Sequence, residues 1–444
     1  MPDAVTRRRF LNRAAAAGAG LCLAQPISAA GPGTMSKGSA GVAPQAAGKP
    51  YGEWPVFDSR DEEALLDVLR SGKWGRTAGG TRVKEFEAAF ASLMQAKHCI
   101  ATSSGTTALL SALGALNVGP GDEVILPPYT FVATFNAVTQ SYALPVFVDT
   151  DAATFQIDPS KIPAAITPAT RVLLPVHIGG SPCDIDAVVE LGRARGIAVL
   201  EDACQAPLAT VRGRPVGTRG IGGCFSFQAF KNLTSGEGGA VLTNDHSFAD
   251  LVFNHHTPGN PRRAALSGRA SNFRMTEFQA GLLLSQMARL EAQASIRDSN
   301  AAFLTSMLEK IPGITPARFA GGATRSGWHL YMFRYDRQRF AGLSRARFIA
   351  AAAGDGVALS SGYTSLNTSA HVKAVAANPH YQRIYGREAM TRWLEKNQCP
   401  VNDRLVGEAV WIGQSKLLGS RGDMERIAER IAAAQKRASQ LARA

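Results

Sequence analysis

The sequence predicts an α/β protein built on a mostly parallel sheet with helices on both faces. Three observations predict it. From about residue 55, short apolar runs alternate with stretches of helical period. The runs and helices follow one another in strand–helix order, which a parallel sheet requires of its crossovers. The 444 residues are 45% hydrophobic and 19% charged, a composition that suits a globular chain of two unequal domains.

The chain opens on an address. Residues 6–11 read Thr-Arg-Arg-Arg-Phe-Leu, a mildly apolar Ala/Gly-rich stretch runs from Ala14 to Ala24, and Ser28-Ala29-Ala30 offers small residues to a signal peptidase. This is the pattern of a twin-arginine export signal over residues 1–30, and it predicts a periplasmic protein. Translation from Met35 would instead leave the chain in the cytoplasm. The apolar stretch is too short to span a bilayer, so no permanent anchor is expected. Leu21 before Cys22 is larger than a lipoprotein signal wants. Residues 31–50, rich in Gly, Ala, Ser and Pro, predict a flexible linker. A large domain over 51–290 and a smaller C-terminal domain over 291–444 follow.

The formal charge of +13 favours anionic ligands. The body has no Lys/Arg-rich run and no zinc-finger spacing, so neither nucleic acid nor a metal is expected. Cys22, Cys99, Cys183, Cys204, Cys224 and Cys399 form no CxxC pair and are spread through apolar runs, which predicts buried free thiols.

Strands are expected at 123–126, 144–148, 172–174, 197–201, 223–227 and 239–243. Helices are expected at 106–116, 131–141, 185–196 and from 276 to 292. Ligands of such sheets bind beyond the carboxyl ends of the strands, and five segments carry chemistry there. Asp202 ends the run Ile-Ala-Val-Leu-Glu-Asp; its carboxylate can hold a pyridinium nitrogen protonated, or cap a helix. Lys231 follows the strand around Cys224 and precedes a Gly-Glu-Gly-Gly turn. An amine in an apolar setting loses its proton readily, as Schiff-base formation requires. Ser226 stands five residues before it, with a hydroxyl for a phosphate. Gly105, Thr106 and Thr107 open a helix directly after a strand, where free N–H groups and the helix dipole suit a phosphate; Ser104 also suits the cap. Phe131, after the strand Glu-Val-Ile-Leu, can stack on a flat ring or pack in the core. Asn272 and Arg274, just before the long helix, can complete an anion site or serve as a cap.

These segments in this order resemble the DegT/StrS family of pyridoxal-phosphate (PLP) sugar aminotransferases, of fold type I. The likeness rests on Ser-Ser-Gly-Thr-Thr-Ala-Leu (103–109), Leu-Pro-Val-Phe-Val-Asp-Thr-Asp (144–151), Leu-Pro-Val-His-Ile-Gly-Gly (174–180), Glu-Asp-Ala-Cys-Gln-Ala (201–206), residues 224–245 and Asn-Phe-Arg-Met-Thr-Glu-Phe-Gln-Ala (272–280). It runs from about Trp54 to the last helix. It implies a three-layer α/β/α large domain with a mostly parallel sheet and a smaller α+β domain. By the same likeness Lys231 carries the PLP cofactor, Asp202 pairs with its ring nitrogen, and Gln205 lies near its ring hydroxyl. Ser226, Gly105 and Thr106 cradle the phosphate, and Phe131 stacks on the ring. Asn272 reaches the phosphate of a neighbouring subunit, which implies a homodimer with shared sites.

Relatives with His in place of the lysine act as dehydratases, and Lys231 argues against that branch. The residues 54–76 and 331–343 look closest to the keto-cyclitol (inosose) branch, which aminates ring ketones with glutamine or glutamate. The chain departs from the family at Ala206-Pro207-Leu208, at Ala229, and at Asn367 after Tyr363 and Leu366. These departures are expected near the substrate. Two rivals to transamination follow from the sequence: a PLP-dependent sugar dehydratase, and an exported relative that binds PLP or sugar without turnover.

Overall fold

The computed structural model describes residues 54–259, 262, 268–354 and 356–443. The expected export signal, the linker and Cys22 lie outside the described residues.

Seven strands form one sheet: β1 (His98–Thr102), β2 (Glu123–Leu126), β3 (Leu144–Phe147), β4 (Thr170–Leu173), β5 (Ala198–Asp202), β6 (Gly222–Ser226) and β7 (Gly239–Thr243), in the spatial order β1-β7-β6-β5-β4-β2-β3. The pairings from β6 through β3 are parallel, while β7 runs antiparallel to both neighbours. Gly239 therefore pairs with Thr102 on one side and Ser226 on the other. The turn after Lys231 brings the chain back at the same edge where the parallel strands end.

Both faces are apolar, as the continuous runs require. Along β5, Val199 joins one buried cluster and Leu200 the other; along β7, Ala240 and Leu242 face one way and Val241 the other. On the first face α2 (Arg82–Leu93, after α1, Ser59–Ser71) contributes Phe86 and Phe90. They meet Phe225 and Phe227 edge-on at centroid distances of 5.3 Å. Burying each such ring contributes about 1.5–3 kcal/mol. On the second face α3 (Gly105–Ala115) and α4 (Val132–Gln140) cover the sheet. All five described cysteines are free.

One long helix, α5 (Glu277–Leu308), opens with a capping box between Thr276 and Gln279. It runs unbroken through residue 290, where the large domain was expected to give way to the smaller one. Leu283, Leu290 and Ala294 pack in the large core, while Ala301, Leu304 and Leu308 pack in a separate core built on the antiparallel strands β8 (Ile314–Pro316), β9 (Leu330–Tyr335) and β10 (Ala409–Gly413). Residues 366–399 return to the edge of the large sheet, where Trp393 Nε1 donates to Pro145 O at 2.6 Å and Tyr381 OH donates to Ala143 O at 2.9 Å. They cover the edge strand β3, which would otherwise offer unpaired backbone to another chain. No helix of the described residues is long and apolar enough to cross a membrane.

Candidate active site

A cavity of about 600 Å³ opens beyond the carboxyl ends of β5 and β6. That volume lies within the usual range for a small-molecule site. Lys231, Asp202, Gln205, Ser226, Gly105 and Thr106 all line it, although they come from three separate stretches of chain.

Asp202 is the last residue of β5 and only 4% exposed. Its backbone is pinned on both sides: its N–H donates to Pro175 O at 2.9 Å and its carbonyl accepts from His177 N at 3.0 Å. Its Oδ2 accepts from Thr134 Oγ1 at 2.7 Å and its Oδ1 from Cys204 N at 3.2 Å. The neighbouring Glu201 anchors this strand end. It lies fully buried, faces His177 Nε2 at 3.0 Å, and accepts the N–H groups of Gly217, Arg219 and Gly220 at 2.7, 2.7 and 2.9 Å. Burial pushes the Glu201 carboxyl up, but the hydrogen bond and charge of His177 and the amides outweigh it and hold its pKa below the usual value.

Lys231 lies one turn past β6, its N–H donating to Gln228 O at 2.8 Å. Burial lowers its pKa, opposed by the upward pull of Cys204 and Asp202. More of the free amine is therefore present near neutral pH than in an exposed lysine.

The helix start is built for close approach. A Cβ on Gly105 would lie 2.7 Å from Ser226 Cβ and 3.0 Å from Cys204 Sγ. A Cβ on Gly239 would lie 2.2 Å from Ser104 O. Only hydrogen atoms fit at these two points. The N–H groups of Gly105 and Thr106 stand in the first turn of α3, where no carbonyl of the helix can reach them. Thr107 departs from expectation. Its hydroxyl accepts from Ser104 N at 2.9 Å and its N–H donates to Ser104 Oγ at 3.1 Å, so it closes the capping box and does not line the cavity.

Gln205 bridges two elements: its Oε1 accepts from Gly179 N at 2.8 Å and its Nε2 donates to Tyr363 OH at 2.9 Å. Phe131 stands at the rim, 54% exposed. Asn272 is exposed and is not among the residues that line this chain's own cavity, its Oδ1 accepting from Arg274 N at 3.5 Å.

None of the departures lines the cavity, whereas Tyr363, four residues before Asn367, does. Ala206 and Leu208 are core residues, and Ala229 O accepts from Trp54 Nε1 at 2.8 Å. Asn367 is buried in a polar cluster with Asn397 O and Asn402. Their expected place near the substrate is therefore corrected. Thr134 and His329 line the cavity and were not expected to. Thr130 and Thr134, one helical turn apart after β2, were the available signal for the first. Nothing local marks the second.

PLP fits these residues. It needs a free amine, a carboxylate facing its ring nitrogen and a cradle for a doubly charged phosphate. Lys231, Asp202 and the Gly105–Ser226 contact supply groups of those kinds around one cavity.

Residues 55–432 match the DegT/DnrJ/EryC1/StrS aminotransferase family. The chain is 33% identical, over 86% of its length and 93% of the relative's, to L-glutamine:2-deoxy-scyllo-inosose aminotransferase of Streptomyces kanamyceticus. The crystal structure of 3-amino-5-hydroxybenzoic acid synthase superposes with a TM-score of 0.76 at 32% identity, covering 87% of this chain and 99% of that one. NtdA of Bacillus subtilis with bound cofactor PMP superposes with a TM-score of 0.71 at 26% identity, covering 85% and 82%.

Proposed function

This chain belongs to the DegT/DnrJ/EryC1/StrS aminotransferase family, and on that premise we propose that it transfers an amino group from glutamine or glutamate to a ketone on a cyclitol or sugar ring. It is a PLP-dependent aminotransferase of fold type I. The choice of substrate is supported by the likeness, over most of both chains, to an enzyme named for glutamine and 2-deoxy-scyllo-inosose.

PLP, when bound, supplies an electron-withdrawing ring that lets the carbon bearing the amine lose and regain a proton. The chain's own groups do the rest. The Lys231 amine holds the cofactor and, once displaced by the amino donor, carries the proton on its Nζ as general base and then acid. Its lowered pKa suits both roles. The Asp202 carboxylate, steadied by Thr134 and the Cys204 amide, keeps the ring nitrogen protonated. The Gly105 and Thr106 amides and the Ser226 hydroxyl hold the phosphate at the positive end of α3. Gln205 and Phe131 orient the ring.

Two further features belong to the proposal. The chain acts as a homodimer, in which Asn272 serves the partner's phosphate site. The exposed rim residues Phe131 and Phe230, the latter 71% exposed, favour a covering surface. Light scattering should give twice the chain mass. The twin-arginine signal sends the enzyme to the periplasm, where a free cyclitol ketone is an easier substrate than a nucleotide-linked sugar; cell fractionation tests this.

The test of the reaction is spectroscopic. Glutamine added without a ketone should convert the cofactor's absorption to that of its amino form, and 2-deoxy-scyllo-inosose should reverse the change. A spectrum unmoved by both glutamine and glutamate would overturn the reading.

A further inference from the structure

His329 stands just before β9, 8% exposed, on the wall of the Lys231 cavity. The segment that carries it is clamped. Gly327 N donates to Gly180 O at 2.8 Å, Asn232 Nδ2 donates to Gly327 O at 2.7 Å, and Gln414 N donates to His329 O at 3.1 Å. A Cβ on Gly180 would meet His329 N at 2.9 Å. The preceding residue, Trp328, takes the left-handed φ of 54°. Such a conformation in a bulky residue is retained only where its surroundings dictate it.

The protein itself makes little use of this imidazole. Its Nδ1 is buried without a hydrogen-bond partner. Buried polar atoms are nearly always partnered, so an exception calls for an account. With Nδ1 sealed in protein, Nε2 is the nitrogen left to meet the cavity. Arg297 lies in the same network: its Nε and Nη2 reach Gln414 Oε1 at 3.1 and 2.5 Å, and Gln414 N reaches His329 O. Burial, Lys231 and Arg297 all oppose protonation of the ring. They favour the neutral imidazole, which carries one N–H and one lone pair.

We propose that His329 is a specificity-determining residue whose Nε2 side hydrogen-bonds a hydroxyl of the ring ketone that accepts the amine. The proposal rests on the function proposed above. A neutral ring that can both donate and accept matches a neutral hydroxyl. The carboxylate of the amino donor wants a cation, and burial together with the Arg297 charge keeps His329 from becoming one. A buried polar group left unpaired by a ring lacking that hydroxyl would select against such a ring.

The test separates the two half-reactions in the holoenzyme. His329→Leu should lower kcat/KM for 2-deoxy-scyllo-inosose by about tenfold or more, chiefly through KM. The glutamine-driven half-reaction should fall at least about fivefold less. His329→Gln keeps an N–H near the Nε2 position and should recover most of the loss, which a merely structural role would not predict. Equal losses in both half-reactions, or no loss with the ketone, would overturn the proposal. A second readout needs no turnover. In holoenzyme with ¹⁵N-labelled histidine, the resonance missing from the His329→Gln spectrum should move with scyllo-inositol and stay still with glutarate. A resonance unmoved by scyllo-inositol also overturns the proposal. If the wild-type cofactor spectrum ignores glutamine, it is the proposed function that fails.

Discussion

Gly105→Ala is the most informative single substitution in the phosphate cradle. The added methyl would stand 2.7 Å from Ser226 Cβ, 3.0 Å from Cys204 Sγ and 3.1 Å from Ser226 Oγ, whereas ordinary contact begins at 3.4 Å. The helix start and β6 must part by about 0.7 Å, at a cost of about 1–3 kcal/mol. Neither side can yield easily. Ser226 is paired to Gly239, and Ser104 is fixed by its capping box. If the Gly105 amide and the Ser226 hydroxyl hold the same phosphate, the whole displacement falls on the cofactor. Its Kd should rise by about 5- to 150-fold. The assay is titration of apoenzyme with PLP, followed by absorbance, beside thermal melts with and without cofactor. At a PLP concentration 100 times the wild-type Kd, cofactor stabilises the wild type by about 2.7 kcal/mol, and a tenfold weaker variant retains about half of that. Gly407→Ala is the control: it lies in a helix with nothing within 4 Å of its Cβ, and it should be neutral or stabilising by up to about 1 kcal/mol. A folded Gly105→Ala protein that binds PLP as tightly as the wild type would refute the cradle.

Other outcomes follow from the same geometry. Asp202→Asn should bind PLP yet lose at least about a hundredfold in the glutamine half-reaction, because an amide cannot keep the ring nitrogen protonated; Thr134→Val should fall between it and wild type, by about fivefold or more, in stopped-flow absorbance. Glu201→Gln should destabilise the fold by about 3–5 kcal/mol in urea, since its N–H₂ must replace either Oε2, which takes the Gly217 N–H and faces His177 Nε2, or Oε1, which takes the Arg219 and Gly220 N–H groups. The fold should also weaken in mild acid through His256, whose pKa burial lowers from 6.5 to about 3. The unfolded chain takes up that proton first, so stability is complete above about pH 6.5 and is lost as pH falls toward 3. Melting temperatures from pH 7 to 4 should drop less steeply in His256→Gln.

Much of the site is legible in the sequence because local rules govern it. A strand ending in Asp202, a helix opening at Gly105 and a Gly-rich return after Lys231 are each fixed by a few adjacent residues. Their positions relative to one another then follow from parallel pairing, since Asp202 pairs with Cys224 two residues before Ser226. What the sequence hides is convergence over distance. Gln205 meets Tyr363 across 158 positions, and Thr134 meets Asp202 across 68. No period or spacing reports such contacts. Asn367 misleads for the same reason: its neighbour Tyr363 reaches the cavity, while its own amide is held by Asn397 and Asn402. Thr107 shows a different limit. A hydroxyl in the first turn of a helix can serve a phosphate or the cap, and here the cap uses it. The boundary expected at residue 290 falls inside a helix that changes the core it packs against between Ala294 and Ala301 without breaking its hydrogen-bond ladder, so the apolar pattern shows no stop there.

The central claim is that Lys231 holds the cofactor. Borohydride reduction of the holoenzyme fixes PLP to whichever lysine bears it, and peptide mapping then finds that residue. One modified peptide containing Lys231 is the expected result. A cofactor mass on any other lysine, or on none, would contradict the account.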